Sequence, residues 1–250
     1  MLNYKIEGDG SPLLLCHGFG ISFNIWKELS PILCEHFRLV TVELPGIGSS
    51  PLPPPGRPYL VTAVEELEAL RVSLKIPCWS VLGYSSGSRV AEAYLQTHGN
   101  RVERAIFLSP AYVSKGKASG LRIAIEVDKH FPSLCNWVLT GSRIRFLIRL
   151  LAFNLHRDPS VAEWYAEISS QRLESLKDTL RSLPDGGARP FVLPDQISGL
   201  FIWGSKDWIT ANPHKPSARD VIIQGNHGAP QTSANAVAES ILTHMANLSG

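Results

Sequence analysis

The stretch 79-WSVLGYSSGSRVAEAYL-95 limits the folds open to this chain more than any other. Residues 79–83 are mostly apolar and β-prone and read as a buried strand, while from Ser86 to His98 the apolar residues recur at helical spacing. Between them stands Gly83-Tyr84-Ser85-Ser86-Gly87, the only G-x-S-x-G in the sequence. A buried strand that passes directly into a helix must turn sharply, and flanking glycines remove side chains that would collide there. Such a turn holds its central serine, Ser85, up as a nucleophile. The plain alternative is a turn built from small residues for their own sake, and the pentapeptide alone does not separate the two.

The surrounding segments supply the context. Strand-like runs at 3–7, 13–16, 38–43, 104–108, 200–203 and 220–224 alternate with helical patterns at 25–37, 61–75, 86–98 and 233–247. Parallel strands need crossovers and those crossovers are helices, so the alternation predicts an α/β fold with a mostly parallel sheet flanked by helices. The Pro- and Gly-dense stretch 44-LPGIGSSPLPPPGRPY-59 reads as a stiff surface connection rather than a PxxP ligand. From about Ala111 to Pro190 the alternation gives way to helical stretches, including 143-RIRFLIRLLAFNLH-156 and 161–180. Residues 111–190 are therefore expected as a helical cap inserted into a core formed by 1–110 and 191–250. Arg143, Arg145 and Arg149 among apolar neighbours would suit membrane adsorption. The preferred reading is a lid helix that lays its apolar side over a pocket.

Composition excludes several partners. A formal net charge of +2 without a long Lys/Arg run argues against nucleic acid and anionic membranes. Cys16, Cys34, Cys78 and Cys135 lie far apart without a CxxC or a Cys/His cluster, so they read as reduced core thiols and no metal site is expected. Neither a leader-like first segment nor a run of about 18 apolar residues is present, which predicts a cytoplasmic protein without stable membrane insertion.

A serine is a weak nucleophile until a base accepts its proton, and that base needs an orienting carboxylate. Sites in parallel sheets form at the C-terminal ends of the strands. After the strand at 200–203 comes 204-GSKD-207, and after the one at 220–224 comes 225-GNHG-228, so Asp207 and His227 follow Ser85 in the order Ser, Asp, His. Asp207 could instead cap a turn at 207-DWIT-210, and His227 could be a plain loop residue; agreement among three separate loops favours the triad. His36, His98, His130, His156, His214 and His244 read as structural or solvated. The tetrahedral intermediate also needs donors for its oxyanion. In 14-LLCHGFG-20 a buried strand runs into a glycine-flanked loop, which nominates the backbone N–H groups of Phe19 and Ser86; His17 reads as a brace for that loop.

Together HGFG, ELPGIGSS, GYSSG, GSKD and GNHG make the chain resemble the α/β-hydrolase superfamily along nearly its whole length, above all its small capped carboxylesterases. The resemblance implies the α/β-hydrolase fold with a helical cap, Ser85 as nucleophile, His227 as general base and then acid, Asp207 as its orienter, and Phe19 and Ser86 as the oxyanion hole. Two positions depart from the family's common pattern: Glu43 stands where Asp is usual, and Ser88 where a second glycine often follows the elbow. The expected activity is hydrolysis of a small-molecule carboxylic ester, of small to medium size and apolar, through an acyl-enzyme and without cofactor. Trp137, Phe146, Phe153, Trp164 and Tyr165 are the aromatics available to an apolar cap. An enzyme that hydrolyses C–C bonds or acts as a hydroxynitrile lyase could use the same triad with an extra polar group such as Lys129 or Lys177. A carboxylate-dependent dehalogenase is disfavoured by Ser85, and a ligand-binding receptor with little turnover is the alternative from another class.

Overall fold

The computed structural model describes residues 1–111, 126–182, 193–194, 197–210, 213 and 216–246. Its strands are β1 (Tyr4–Glu7), β2 (Ser11–Cys16), β3 (Phe37–Val42), β4 (Trp79–Tyr84), β5 (Val102–Leu108), β6 (Ser198–Gly204) and β7 (Asp220–Ile223). They form one sheet in the order β1-β3-β2-β4-β5-β6-β7, antiparallel only between β1 and β3. The middle strands are apolar almost throughout because both of their faces are buried. Leu13, Leu15, Leu82, Tyr84, Ile106 and Leu108 point into one core layer, and Leu14, Cys16, Val81, Ala105 and Phe107 into the other.

The second layer is closed by α2 (Tyr59–Ser73) and α3 (Gly87–His98), whose Leu67, Leu70, Val90 and Tyr94 pack against the sheet. The first is closed by a 3₁₀ turn (Phe23–Trp26), α1 (Ser30–Leu33) and elements late in the chain. The continuous helix expected over 25–37 does not form. Pro31 would sit in its interior, where it has no N–H to donate and its ring meets the preceding turn, so the segment breaks into two short pieces.

Between β5 and β6 lie a helical turn at 126–130, α4 (Pro132–Leu139), α5 (Arg143–Leu147), a π-helical turn (Ile148–Ala152), α6 (Ser160–Ser170) and α7 (Leu173–Arg181). The helix expected over 161–180 is two helices that part at Gln171, an extended residue (φ −73°, ψ 152°) whose side-chain carbonyl accepts the Gly48 N–H at 2.9 Å. No glycine or proline marks that break. After β7 come α8 (Ala229–Thr232) and α9 (Ala234–Ala246), which returns to the first core layer through Val237, Ala238 and Ile241. All four cysteines are free, but only Cys16 and Cys135 are buried; Cys34 and Cys78 are half-buried, a correction to the reading of four core thiols. Among the described residues no helix is long and apolar enough to cross a membrane.

Candidate active site

Strand β4 ends at Tyr84 and α3 starts at Gly87, so Ser85 and Ser86 make the whole turn. Ser85 has φ +51°, a left-handed conformation that costs a residue bearing a Cβ about 1 kcal/mol or more. Its surroundings hold it there. The Ser85 N–H donates to the Leu108 carbonyl at 3.0 Å, and the Ser85 carbonyl accepts the N–H groups of Ser88 at 3.0 Å and Ala111 at 3.1 Å. The Ser88 hydroxyl donates to the same carbonyl and accepts from the Ala111 N–H at 3.1 Å, so a serine at this position ties the elbow to the end of β5. A Cβ on Gly87 would fall 2.3 Å from the His17 carbonyl oxygen, and one on Gly83 would fall 2.6 Å from the Ser88 Cα. Backbone on both sides leaves no room for a side chain at either glycine.

The loops that follow β6 and β7 bring Asp207 and His227 to the same edge. Asp207 Oδ1 accepts the N–H groups of Ile209 at 2.8 Å and Thr210 at 3.0 Å, and Oδ2 accepts the Thr210 hydroxyl at 2.8 Å. The same Oδ2 lies 2.8 Å from His227 Nδ1. Burial pushes the Asp207 pKa up, but the imidazole and the hydrogen bonds from His227 and Thr210 outweigh it and hold the carboxyl below its ordinary value. An ionised Asp207 accepts from Nδ1–H, which leaves the Nε2 lone pair facing the Ser85 hydroxyl, 2.9 Å away. All three side chains are almost fully buried.

Neither Tyr84 nor Thr210 stands out in the sequence, and both brace this arrangement. The Tyr84 hydroxyl donates to the His227 carbonyl at 2.7 Å and its ring lies against the imidazole at 5.3 Å. Burial raises the phenol pKa well above its usual value, so it stays a donor. Tyr84 occupies the free position of G-x-S-x-G, where any residue satisfies the motif. His17 donates from Nδ1 to the Gly18 carbonyl at 2.8 Å and accepts the Leu44 N–H on Nε2 at 2.8 Å, a neutral ring linking the two loops that follow β2 and β3. Burial pulls its pKa down to about 4. Nearby, the Glu43 carboxylate accepts from Asn3 Nδ2 at 2.8 Å and the Ser49 N–H at 2.6 Å, so the longer acid serves to fasten the loop after β3.

A cavity of about 480 Å³ opens onto Ser85 and His227, with Phe19 and Ser86 in its wall. Of the five cap aromatics named from the sequence, Trp164 lines it; Trp137 and Phe146 are more than half exposed, Phe153 packs edge-on against Trp164 at 4.9 Å, and Tyr165 lies beneath Arg145 at 5.8 Å. The wall is mainly aliphatic, with Val138, Ile144, Ile148, Leu151 and Ile168 among its residues. Helical periodicity could not tell these cavity-facing side chains from core ones. Among the described lining residues the polar side chains are Tyr84, Ser85, Ser86, Cys135 and His227. Neither Lys129 nor Lys177 is among them, and Lys177 instead sits 3.1 Å from Asp128 and 3.0 Å from Asn136 Oδ1. His214 lies outside the described residues. Among the described residues no His, Cys, Asp and Glu cluster could hold a metal ion.

Residues 11–220 match the model of the alpha/beta hydrolase fold family. A pimeloyl-[acyl-carrier protein] methyl ester esterase from Aeromonas hydrophila is 28% identical over 235 residues, covering 89% of this chain and 90% of its own. Among solved structures, a 2-hydroxy-6-oxo-6-phenylhexa-2,4-dienoate hydrolase from a Rhodococcus species aligns with TM-score 0.78 at 18% identity over 98% of this chain and 94% of that one. An enol-lactonase from Burkholderia xenovorans aligns with TM-score 0.75 at 20% identity over 98% and 96%.

Proposed function

The chain belongs to the alpha/beta hydrolase fold family, and on that premise we propose that it is a serine hydrolase of carboxylic esters with small to medium apolar groups. The observation that carries this reading is the unbroken hydrogen-bonded line from Asp207 through His227 to Ser85 at the floor of an apolar cavity. In the proposed reaction Ser85 Oγ attacks the ester carbonyl carbon while His227 Nε2 takes its proton. The carbonyl oxygen becomes an oxyanion directed at the Phe19 and Ser86 N–H groups, and Asp207 compensates the imidazolium charge. Collapse breaks the bond to the alcohol, which leaves with the proton from Nε2. Water, activated by the same imidazole, then releases the acid from Ser85.

Residues 111–190 act as the cap in this reading, and the core is 1–110 with 191–250. The name of the Aeromonas relative favours a small alcohol and a longer acyl group lying along the aliphatic wall. C–C bond hydrolysis is the weaker reading. It would need a further polar group to steady a carbanionic leaving fragment, and the described lining offers none beyond the residues already named.

Incubation with a small fluorophosphonate, followed by intact-protein mass spectrometry and assays on p-nitrophenyl esters, tests the assignment. Wild type should carry one adduct and turn over esters, and Ser85→Ala should do neither while remaining folded. An equal adduct on Ser85→Ala, or none on folded wild type, would sink the assignment.

A further inference from the structure

A second cavity, of about 560 Å³, lies on the other side of the helical wall that covers Ser85. The segment 143–152 separates the two. Its Ile144, Leu147, Ile148 and Leu151 face the apolar cavity, whereas Arg145, Phe146 and Arg149 face the second one. Arg157 joins them there, with His156 beside it. Among the described residues none of these three guanidinium groups is paired with a carboxylate. Arg149 uses Nε to reach the Leu155 carbonyl at 3.1 Å, and Arg145 lies over the Tyr165 ring. Asp158 is the one acid in the lining, and its Oδ1 is taken up by the Ser160 N–H at 2.8 Å.

This is a local departure from the rest of the molecule. From Lys129 to Arg157 the chain has five Lys and Arg residues and no Asp or Glu, although the whole chain carries a formal charge of only +2. Arg145 and Arg157 are exposed and Arg149 is half-buried, so water screens much of the repulsion among them, and their guanidinium groups open into one concavity where their N–H donors can meet an anion together. Planar guanidinium forks match the oxygens of a phosphoryl group better than an ammonium would. The cavity is larger than phosphate alone requires, and Phe146, Val161 and Ala162 supply an apolar side for an attached organic body.

We infer that this cavity is a binding site for the phosphoryl group of an organic phosphate, held by Arg145, Arg149 and Arg157. The site stands on these residues alone and does not depend on the esterase reading.

Calorimetric titration with phenyl phosphate at low salt tests it, with benzoate as the comparison of equal ring and lower charge. Vesicles of phosphatidylcholine, with or without phosphatidic acid, test whether the phosphoryl group is presented by a lipid. Wild type should bind phenyl phosphate, benzoate should bind much more weakly, and the Arg145→Gln/Arg157→Gln double variant should lose affinity by about tenfold or more. Thermal melting confirms that the variant is folded, and Arg149→Gln provides a second variant should it fail to fold. Binding to phosphatidic acid vesicles that is lost together with phenyl phosphate binding assigns the site to a lipid headgroup; phenyl phosphate binding alone assigns it to a soluble ligand. The inference falls if wild type does not bind phenyl phosphate, if the variants bind it as well, or if benzoate binds equally. Binding to vesicles without binding to phenyl phosphate also overturns it, since surface charge would then suffice.

Discussion

Asp207 makes at once the two sets of contacts that the sequence presents as alternatives. One oxygen closes the turn at Ile209 and Thr210, and the other meets both Thr210 and His227. Asn at this position keeps an oxygen for the turn but places an amide N–H against Nδ1, which reverses the tautomer. Asp207→Asn should therefore lower kcat by about 10³-fold or more while shifting the melting temperature little, a contrast read by ester kinetics beside thermal melts. His17 offers a separate test through pH. Its folded pKa of about 4 lies below the ordinary 6.5, so the ring is neutral in folded and unfolded chains above that upper value. As pH falls from 6.5 towards 4 the unfolded chain binds a proton that the folded one refuses, and stability drops, levelling off below. The stability advantage of wild type over His17→Gln in urea should narrow by up to about 3 kcal/mol between pH 7 and pH 4. An unchanged gap would mean that the ring is not held neutral by burial.

At the scale of elements, the elbow was the most legible part because steric necessity and chemistry demand the same residues. Gly87→Ala would press a methyl group onto the carbonyls of Cys16 and His17, so it should cost at least about 2 kcal/mol in urea unfolding, or prevent folding. The alternating strands were equally readable, since burial of both faces writes unbroken apolar runs such as 13-LLLC-16. Helix ends were read less well. Pro31 marks the break in the first helical segment, a signal the sequence does carry. Nothing in 161–180 marks the break at Gln171, because the Gly48 N–H that meets its side chain lies more than a hundred residues away. A contact of that kind has no local signature.

For the whole molecule, under the proposed esterase reading the apolar cavity would set which esters fit. Leu151 is half-buried in its wall, and Leu151→Trp should fill part of the 480 Å³. The ratio of kcat/KM for a p-nitrophenyl octanoate to that for the acetate should fall by about tenfold or more, and an unchanged ratio would place the acyl chain elsewhere. Position also decides what the basic residues of 143–157 do. Their spacing alone fits a lid helix or a membrane-surface helix, and the fold turns the apolar side over Ser85 and the arginines into a second cavity. By itself the sequence determined the parallel sheet, the elbow and the order of Ser85, Asp207 and His227, because periodicity, glycine sterics and strand ends are local properties. Tertiary structure alone decided that Tyr84 and Thr210 brace the site, that mainly aliphatic side chains line the cavity with Trp164 the one of the five named cap aromatics among them, and that three arginines converge. Those outcomes depend on distances between segments far apart in the chain, which residue spacing does not encode.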